Sequence, residues 1–330
     1  MPGASEKDIN RISSNHTQNQ HKIYKGVNLA YPMELINYLY NLHKKEDKNW
    51  RSWIRASGND LHKCFYESLL KIKNDQHKTF VVIANELGIT YKMLQDWISG
   101  RKAIPLWVLK KIEETTKTDL KSKIEKLKVY GSQDIKKPVL NANYIEIIGR
   151  HCGDGSCGVY NNTYRVNIKE NESLLKDHIR CINDALGIDV KIKFAENVFF
   201  IDINSKIYSR IITEIFNIPL GGEKTYSVVE PDVIKSLPLE KRKYFLRGLI
   251  DTDGWISYDK SNKTYILGFK VVNKYLANSV YEILSLLKFP AKKKIKGKYF
   301  QVEVIGKANV KKYLQVVGSK NNRVLSKFLV

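Results

Sequence analysis

From residue 147 onward the chain is written twice, and a duplicated unit confines the fold to one organised about an internal pseudo-two-fold axis. Leu246 to Gly254 (Leu-Arg-Gly-Leu-Ile-Asp-Thr-Asp-Gly) has a weaker copy 99 positions earlier, Ile147 to Gly155 (Ile-Ile-Gly-Arg-His-Cys-Gly-Asp-Gly). Beyond these motifs Thr163 to Lys169 matches Thr264 to Lys270, Glu172 to Ile188 matches Asn273 to Phe289, and Val198 to Lys206 matches Tyr299 to Lys307, each at an offset of 101. The change from 99 to 101 places a two-residue insertion around Lys260 to Lys263. Apolar residues recur at helical spacing in some matched segments and alternate in others, so each half reads α-β-β-α-β-β-α. Gly149, Gly153 and Gly248 permit close backbone approach. The two motif helices are therefore expected to pack along the axis and to bring Asp154 and Asp253 together.

Each motif is an apolar helix that runs into Asp-Gly, and a glycine just past a helix suits a left-handed cap. The carboxylate is less easily placed, because the C-terminal end of a helix carries partial negative charge. A positive group is expected beside it, and a divalent cation would answer that need. A plain Asp-Gly turn is the alternative for either copy taken singly.

On these motifs residues 141 to 330 resemble the LAGLIDADG homing endonucleases of the single-chain, two-repeat form. The second motif keeps Gly248, Leu249, Ile250, Asp251, Asp253 and Gly254; the first keeps Gly149, Asp154 and Gly155 and departs at Arg150, His151 and Cys152. The resemblance implies an α+β fold, with duplicated αββαββα repeats carrying two antiparallel, saddle-shaped sheets. It implies Mg²⁺ or Mn²⁺ held by Asp154 and Asp253, with Gly153 and Thr252 in the metal shell. It further implies Lys224 and Lys320 as cations lining the active centre, hydrolysis of double-stranded DNA at a specific site by a monomer, and an intron-borne gene. Two alternatives use the same scaffold: a regulator that binds DNA without cutting it, and an RNA-splicing maturase whose partner is structured RNA. The change at Cys152 bears on helix packing more than on the metal.

Charge agrees with a polyanionic partner. Lys and Arg number 56 against 34 Asp and Glu, a net charge of +22, which is the expected footprint of nucleic-acid binding and is not specific to it. Strand alternation puts Arg165, Asn167 and Lys169 on one face and Tyr164, Val166 and Ile168 on the other. Lys191 and Lys193 alternate with Val190, Ile192 and Phe194, and Lys292, Lys294 and Lys296 stand on the corresponding strand of the second half. These residues, with Lys270 at a strand end, are the candidate DNA contacts of the sheets, the alternative being an ordinary solvated face. The seven histidines show no ligand spacing, and His151 reads as a packed or partly exposed helix residue. Cys64, Cys152, Cys157 and Cys181 form no CxxC pair, so zinc is not expected and a reducing, cytoplasmic setting suits the thiols. No apolar run reaches membrane-spanning length.

The front of the chain is a separate object. Residues 1–30 read as a flexible polar tail, 31–114 as a small all-α domain with Trp50, Trp53, Trp97 and Trp107 available for its core, and 115–140 as a linker containing a charged helix that ends near Gly131. The two repeats follow at 141–240 and 241–330. Phe80 to Arg101 reads helix, glycine turn, helix and resembles the helix-turn-helix of phage-repressor-type domains. Ala84 sits at the crossing, Gly88 makes the turn and Thr90 caps the second helix, with Ile89, Leu94 and Ile98 facing inward. Tyr91, Lys92 and Gln95 are then the candidates for a major-groove contact.

Overall fold

The computed structural model describes residues 33–42, 53–160, 163–170, 172–195, 198–219, 221 and 224–328. The expected tail and Trp50 lie outside the described residues.

In the front region, helices α1 (Ile36–Leu42), α2 (Leu61–Asp75), α3 (Phe80–Leu87), α4 (Tyr91–Ile98) and α5 (Leu106–Thr116) are accompanied by short strands. These are β1 (Met33–Glu34), β2 (Arg55–Ser57), β3 (Ile104–Pro105), β4 (Lys126–Lys128), β5 (Ile135–Lys136) and β6 (Val139–Leu140). The all-α expectation is thus corrected, because β3, β2, β4 and β5 form a four-stranded sheet in that order and β1 pairs with β6. The charged helix expected near Gly131 is likewise absent: a 3-10 turn at Lys121–Lys123 leads into β4 and β5 instead. That hairpin is fastened to the first repeat, since Lys206 N–H donates to Ser132 Oγ at 2.8 Å and Gln133 Nε2 to Asp189 O at 3.2 Å. The α3–α4 turn follows from its residues. Gly88 takes φ 65° at the end of α3 and Thr90 Oγ1 accepts from Met93 N–H at 3.2 Å to cap α4; side-chain capping of this kind satisfies a helix donor that would otherwise be orphaned. Ala84, Leu94 and Trp97 are buried, while Tyr91, Lys92 and Gln95 are exposed. The Trp53 ring meets Trp107 edge-on, with centroids 5.5 Å apart.

The first repeat runs α6 (Ala142–Asp154), β7 (Gly155–Tyr160), β8 (Thr163–Glu170), α7 (Glu172–Leu186), β9 (Lys191–Ala195), β10 (Val198–Ile203) and α8 (Lys206–Arg210), which continues as a π-turn to Ile215. Short helices α9 (Lys224–Ser227) and α10 (Asp232–Lys235) lead to the second repeat. There α11 (Leu239–Asp253), β11 (Gly254–Asp259), β12 (Thr264–Val271), α12 (Lys274–Leu286), β13 (Ala291–Lys296), β14 (Tyr299–Ile305) and α13 (Lys307–Val316) repeat the order, and α14 (Asn322–Leu325) closes it. The expected αββαββα duplication holds element by element. Both sheets are antiparallel with the same order, β7-β8-β10-β9 and β11-β12-β14-β13. β7 ends at Tyr160 and β8 starts at Thr163, whereas β11 ends at Asp259 and β12 starts at Thr264, so the extra pair falls at the expected place.

One face of each sheet is covered by its helices. Ile201 and Ile203 are wholly buried in the first, and Leu267, Phe269, Val302 and Val304 in the second. Alternation along β10, β12 and β14 thus divides a core face from a polar one. The edge strands differ: β9 is exposed along its whole length, and Ile192 (48%) and Phe194 (63%) stand out rather than pack as alternation predicts. Phe194 packs instead against Phe199 of the neighbouring strand, with ring centroids 4.8 Å apart.

Candidate active site

Glycine decides how closely α6 and α11 approach. A Cβ on Gly149 would lie 2.3 Å from the Phe245 carbonyl oxygen, and one on Gly248 2.4 Å from that of Glu146, so each glycine admits the other helix's backbone. Near the shared end, a Cβ on Gly153 would lie 2.1 Å from Thr252 Oγ1 and 2.8 Å from Asp253 Oδ2. Asp154 and Asp253, the last residues of the two helices, are brought side by side. The following glycines are extended rather than left-handed, Gly155 at φ −79° and Gly254 at φ −92°. They are needed for room: a Cβ would come within 2.3 Å of His151 Nδ1 in one case and 2.5 Å of Ile250 O in the other.

Protein cations stand at both helix ends. Lys224, itself buried, donates from Nζ to the carbonyls of His151 (2.8 Å), Cys152 (3.1 Å) and Gly153 (2.6 Å), closing the end of α6. Arg323, exposed, donates from Nη2 to Thr252 O at 3.2 Å and, more distantly, to Gly254 O at 3.5 Å. An ammonium and a guanidinium thus offset the partial negative charge of the two helix ends. Two carboxylates remain. Burial, then the neighbouring Asp154 charge, raises the Asp253 carboxyl to about 7, against the opposing pull of Lys224 and Arg323. Burial lowers the Lys224 ammonium, while Cys152 and the two aspartates work the other way.

Lys320 does not join this centre, which corrects the pairing of Lys224 with Lys320. Its Nζ lies 3.2 Å from both Glu146 Oε2 and Asp177 Oδ2. The residue that matches Lys224 is Arg323, and the interval between them equals the 99 positions between Asp154 and Asp253. The repeat offset gave no signal of it, because the 101 that holds from Thr163 to Lys307 points from Lys224 to Leu325. The backbone carries Arg323 there: Ser319 Oγ and Lys320 N–H donate to the Asp251 carboxylate at 2.5 and 3.1 Å, and Asn321 Nδ2 donates to Asp251 O at 2.6 Å.

Arg150, fully buried, forms a hub beneath the aspartates. Its Nη2 lies 2.6 Å from Glu146, 3.1 Å from Asp177 and 3.8 Å from Asp251, and Arg247 also pairs with Glu146. Burial works against the Glu146 charge, but Arg150, Arg247 and Lys320 outweigh it and hold the carboxyl below its usual range. Asp251 is wholly buried; burial raises its carboxyl to about 6 against the pull of Arg150. Among the described residues, Glu146, Asp177 and Cys181 are the one trio of ligand-type groups close enough to share an ion. Arg150, Arg247, Lys320 and Arg180 already neutralise the two carboxylates, so the trio is an ion-pair hub and a poor metal site. His151 is packed and neutral, its imidazole lowered to about 3 by burial, Lys224 and His178.

The sheet candidates share one face. Register aligns Asp202 with Asn167 and Lys191, and Phe200 with Lys169 and Lys193, so these positions and 165 lie opposite the helix-covered side. The side chains of Arg165, Asn167 and Lys169 lie outside the described residues. In the second sheet Lys292, Lys294, Lys296 and Lys270 share the corresponding face. All four are exposed, and Lys270 Nζ sits 4.3 Å from the Tyr299 ring centroid. Among the described residues no helix is long and apolar enough to cross a membrane.

The family model described as a LAGLIDADG-like domain matches residues 240–318. Solved structures with likeness to the chain include I-DmoI in complex with DNA and Mn, at 18% identity and TM-score 0.40, over 54% of this chain and 98% of that one. I-WcaI bound to its DNA recognition sequence is 12% identical with TM-score 0.39, over 57% and 83% of the two chains. The N-terminal LAGLIDADG domain of WhiA is 10% identical with TM-score 0.36, over 54% and 81%. A curated protein of Methanocaldococcus jannaschii, a probable translation initiation factor IF-2, is 22% identical over 94% of this chain, which spans 29% of that protein's length. The chain therefore carries a LAGLIDADG-like domain at residues 240–318, and residues 142–215 repeat its fold.

Proposed function

We propose that the chain is a site-specific double-stranded DNA endonuclease in which Asp154 and Asp253 hold Mg²⁺ or Mn²⁺. The observation that carries this reading is the meeting of two carboxylates at the ends of glycine-packed helices, one of them raised to about 7. Lys224 and Arg323 are bonded to the helix-end carbonyls rather than to the carboxylates, and paired carboxylates with an exposed edge at Asp154 suit a hard cation. When bound, such an ion polarises a phosphate and lowers the pKa of its water. The residues of the chain do the rest. Asp154 and Asp253 fix the position of the charge, Gly153 and Thr252 offer carbonyl oxygens beside it, and Lys224 and Arg323 hold positive potential where negative charge develops on a phosphate. The lysine-bearing sheet faces grip the duplex, a monomer supplying both halves of the pseudo-dyad. Tyr91, Lys92 and Gln95 on α4 provide a further contact from the front domain.

A second reading, a regulator that binds without cutting, is favoured by one observation: the Gly153 and Thr252 carbonyls already accept from Lys224 and Arg323. Duplexes selected for binding decide between the two when incubated with Mg²⁺ or Mn²⁺. Cleavage that Asp253→Asn reduces by at least about 100-fold, with binding held within a few-fold, supports the nuclease. Specific binding with no cleavage under either ion selects the regulator.

A further inference from the structure

We propose that Lys193 and Lys294 are base-reading lysines, each aimed by a cross-strand carboxylate at a guanine, and that the two guanines occupy pseudo-dyad-related positions in the bound duplex. The inference rests on the DNA-binding reading above and adds which residues select which base.

Lys193 Nζ lies 2.6 Å from Asp202 Oδ2, and Lys294 Nζ lies 2.5 Å from Glu303 Oε2. The two pairs are the same pair in two sheets: both members are displaced by 101 residues, and the register is identical. Lys193 stands opposite Phe200 and Lys294 opposite Gln301, so each reaches diagonally to the acid two positions along the neighbouring strand. Both pairs lie on the face away from the helices.

Exposure separates the partners. The lysine side chains are 58% and 46% exposed, whereas Asp202 and Glu303 are 11% and 5% exposed. The buried acid is therefore the holder and the ammonium the presented group. Lys191, Lys292 and Lys296 share these faces, are exposed, and form no ion pair among the described residues. A phosphate asks for charge with little direction, so those lysines suit the backbone. A lysine already fixed by a carboxylate has lost its rotamer freedom before binding, which favours a directional contact. In the major groove an ammonium best meets guanine, whose O6 and N7 are both acceptors; adenine sets a donor beside N7, and cytosine presents its N4 donor. Because the duplication that relates the two lysines also relates Asp154 and Asp253, the guanines fall at matched distances on either side of the centre and on opposite strands.

A cross-strand ion pair can also serve merely as a sheet fastener, and the test separates the two roles. The full chain, without divalent metal, is used to select duplexes from a randomised pool, and the retained sequences are read. Guanine is expected at two dyad-related positions. Lys193→Met should relax one of them by roughly 10-fold or more and Lys294→Met the other, with Asp202→Asn and Glu303→Gln relaxing the position of their own lysine. Lys292→Met should instead weaken every sequence alike and lower the salt slope of binding by about 1. If a specific duplex is selected but Lys193→Met and Lys294→Met weaken all sequences uniformly, or change thermal stability alone, the base-reading assignment is wrong while DNA binding stands. If the wild-type chain enriches no duplex, the DNA-binding reading fails and this inference fails with it.

Discussion

Helices α6 and α11 meet through the same glycine-lined contact, yet they bury opposite chemistry. Where α11 has Leu249, α6 has Arg150, fully buried; where α6 has Cys152, α11 has Asp251, also fully buried. Judged singly, the first motif departs from its family pattern. Across the interface the departure is met, because Arg150 lies 3.8 Å from Asp251 and closer still to Glu146 and Asp177. The duplication has diverged into two complementary halves, one supplying the buried cation and the other a buried acid that anchors the segment leading to Arg323.

The largest expected effect comes from restoring symmetry. Arg150→Leu gives α6 the residue of α11, leaves the buried Asp251 without a cation and takes one of three cations from Glu146; urea unfolding should show a loss of about 3–5 kcal/mol. Adding Asp251→Cys to that variant should recover part of the loss, and an unchanged midpoint for Arg150→Leu would mean that the two halves are not complementary. Gly248→Ala tests the shared contact, where the new methyl would lie 2.4 Å from the Glu146 carbonyl; a cost of about 1–3 kcal/mol is expected from overpacking. The two cations should differ. Lys224→Met removes a buried donor from three carbonyls and should cost about 2 kcal/mol, whereas Arg323→Met at the exposed end should cost under about 0.5 kcal/mol because solvent replaces it. Equal effects would show that the helix ends are equivalent.

A further effect, confined to the second helix end, concerns pH. Asp253 ionises near 7 when folded and near 3.9 when unfolded, so folding disfavours its charged form. The cost is absent below about pH 4, grows as pH rises towards 7 and is constant above it. Asp253→Asn should therefore stabilise the metal-free protein by about 1 kcal/mol at pH 8, after allowing for solvent access, and by nothing at pH 4. Thermal midpoints at the two values check this, and a variant less stable at pH 8 would reverse the sign.

The duplication was legible because repetition is a property of the string: the offset located helix ends, strand starts and the longer second hairpin before any contact was known. Arg150 resisted reading because its meaning depends on Asp177 and Asp251, which lie on other elements. Lys320 misled for a related reason. A Gly-Ser-Lys turn looks local, but the Asp251 carboxylate holds Ser319 and Lys320 so that Lys320 turns to Glu146 and Arg323 continues to Thr252. Strands of two or three residues, such as β3 and β5, are too short to show alternation, so the sheet of the front region left no periodic trace. In β9 the alternation was real, yet Ile192 and Phe194 stay exposed on the edge strand.

The cation caps also bear on the order in which the molecule can assemble. The Gly153 carbonyl is closed by a lysine 71 residues downstream, and the Thr252 carbonyl by an arginine the same distance away. A whole four-stranded sheet lies between each helix end and the group that completes it. Contacts of such long sequence separation form late and slow a chain's folding. Each repeat is thus expected to pair its strands first and settle its aspartate last, so that hydrogen exchange at the two Asp-Gly junctions should gain protection after the sheets do.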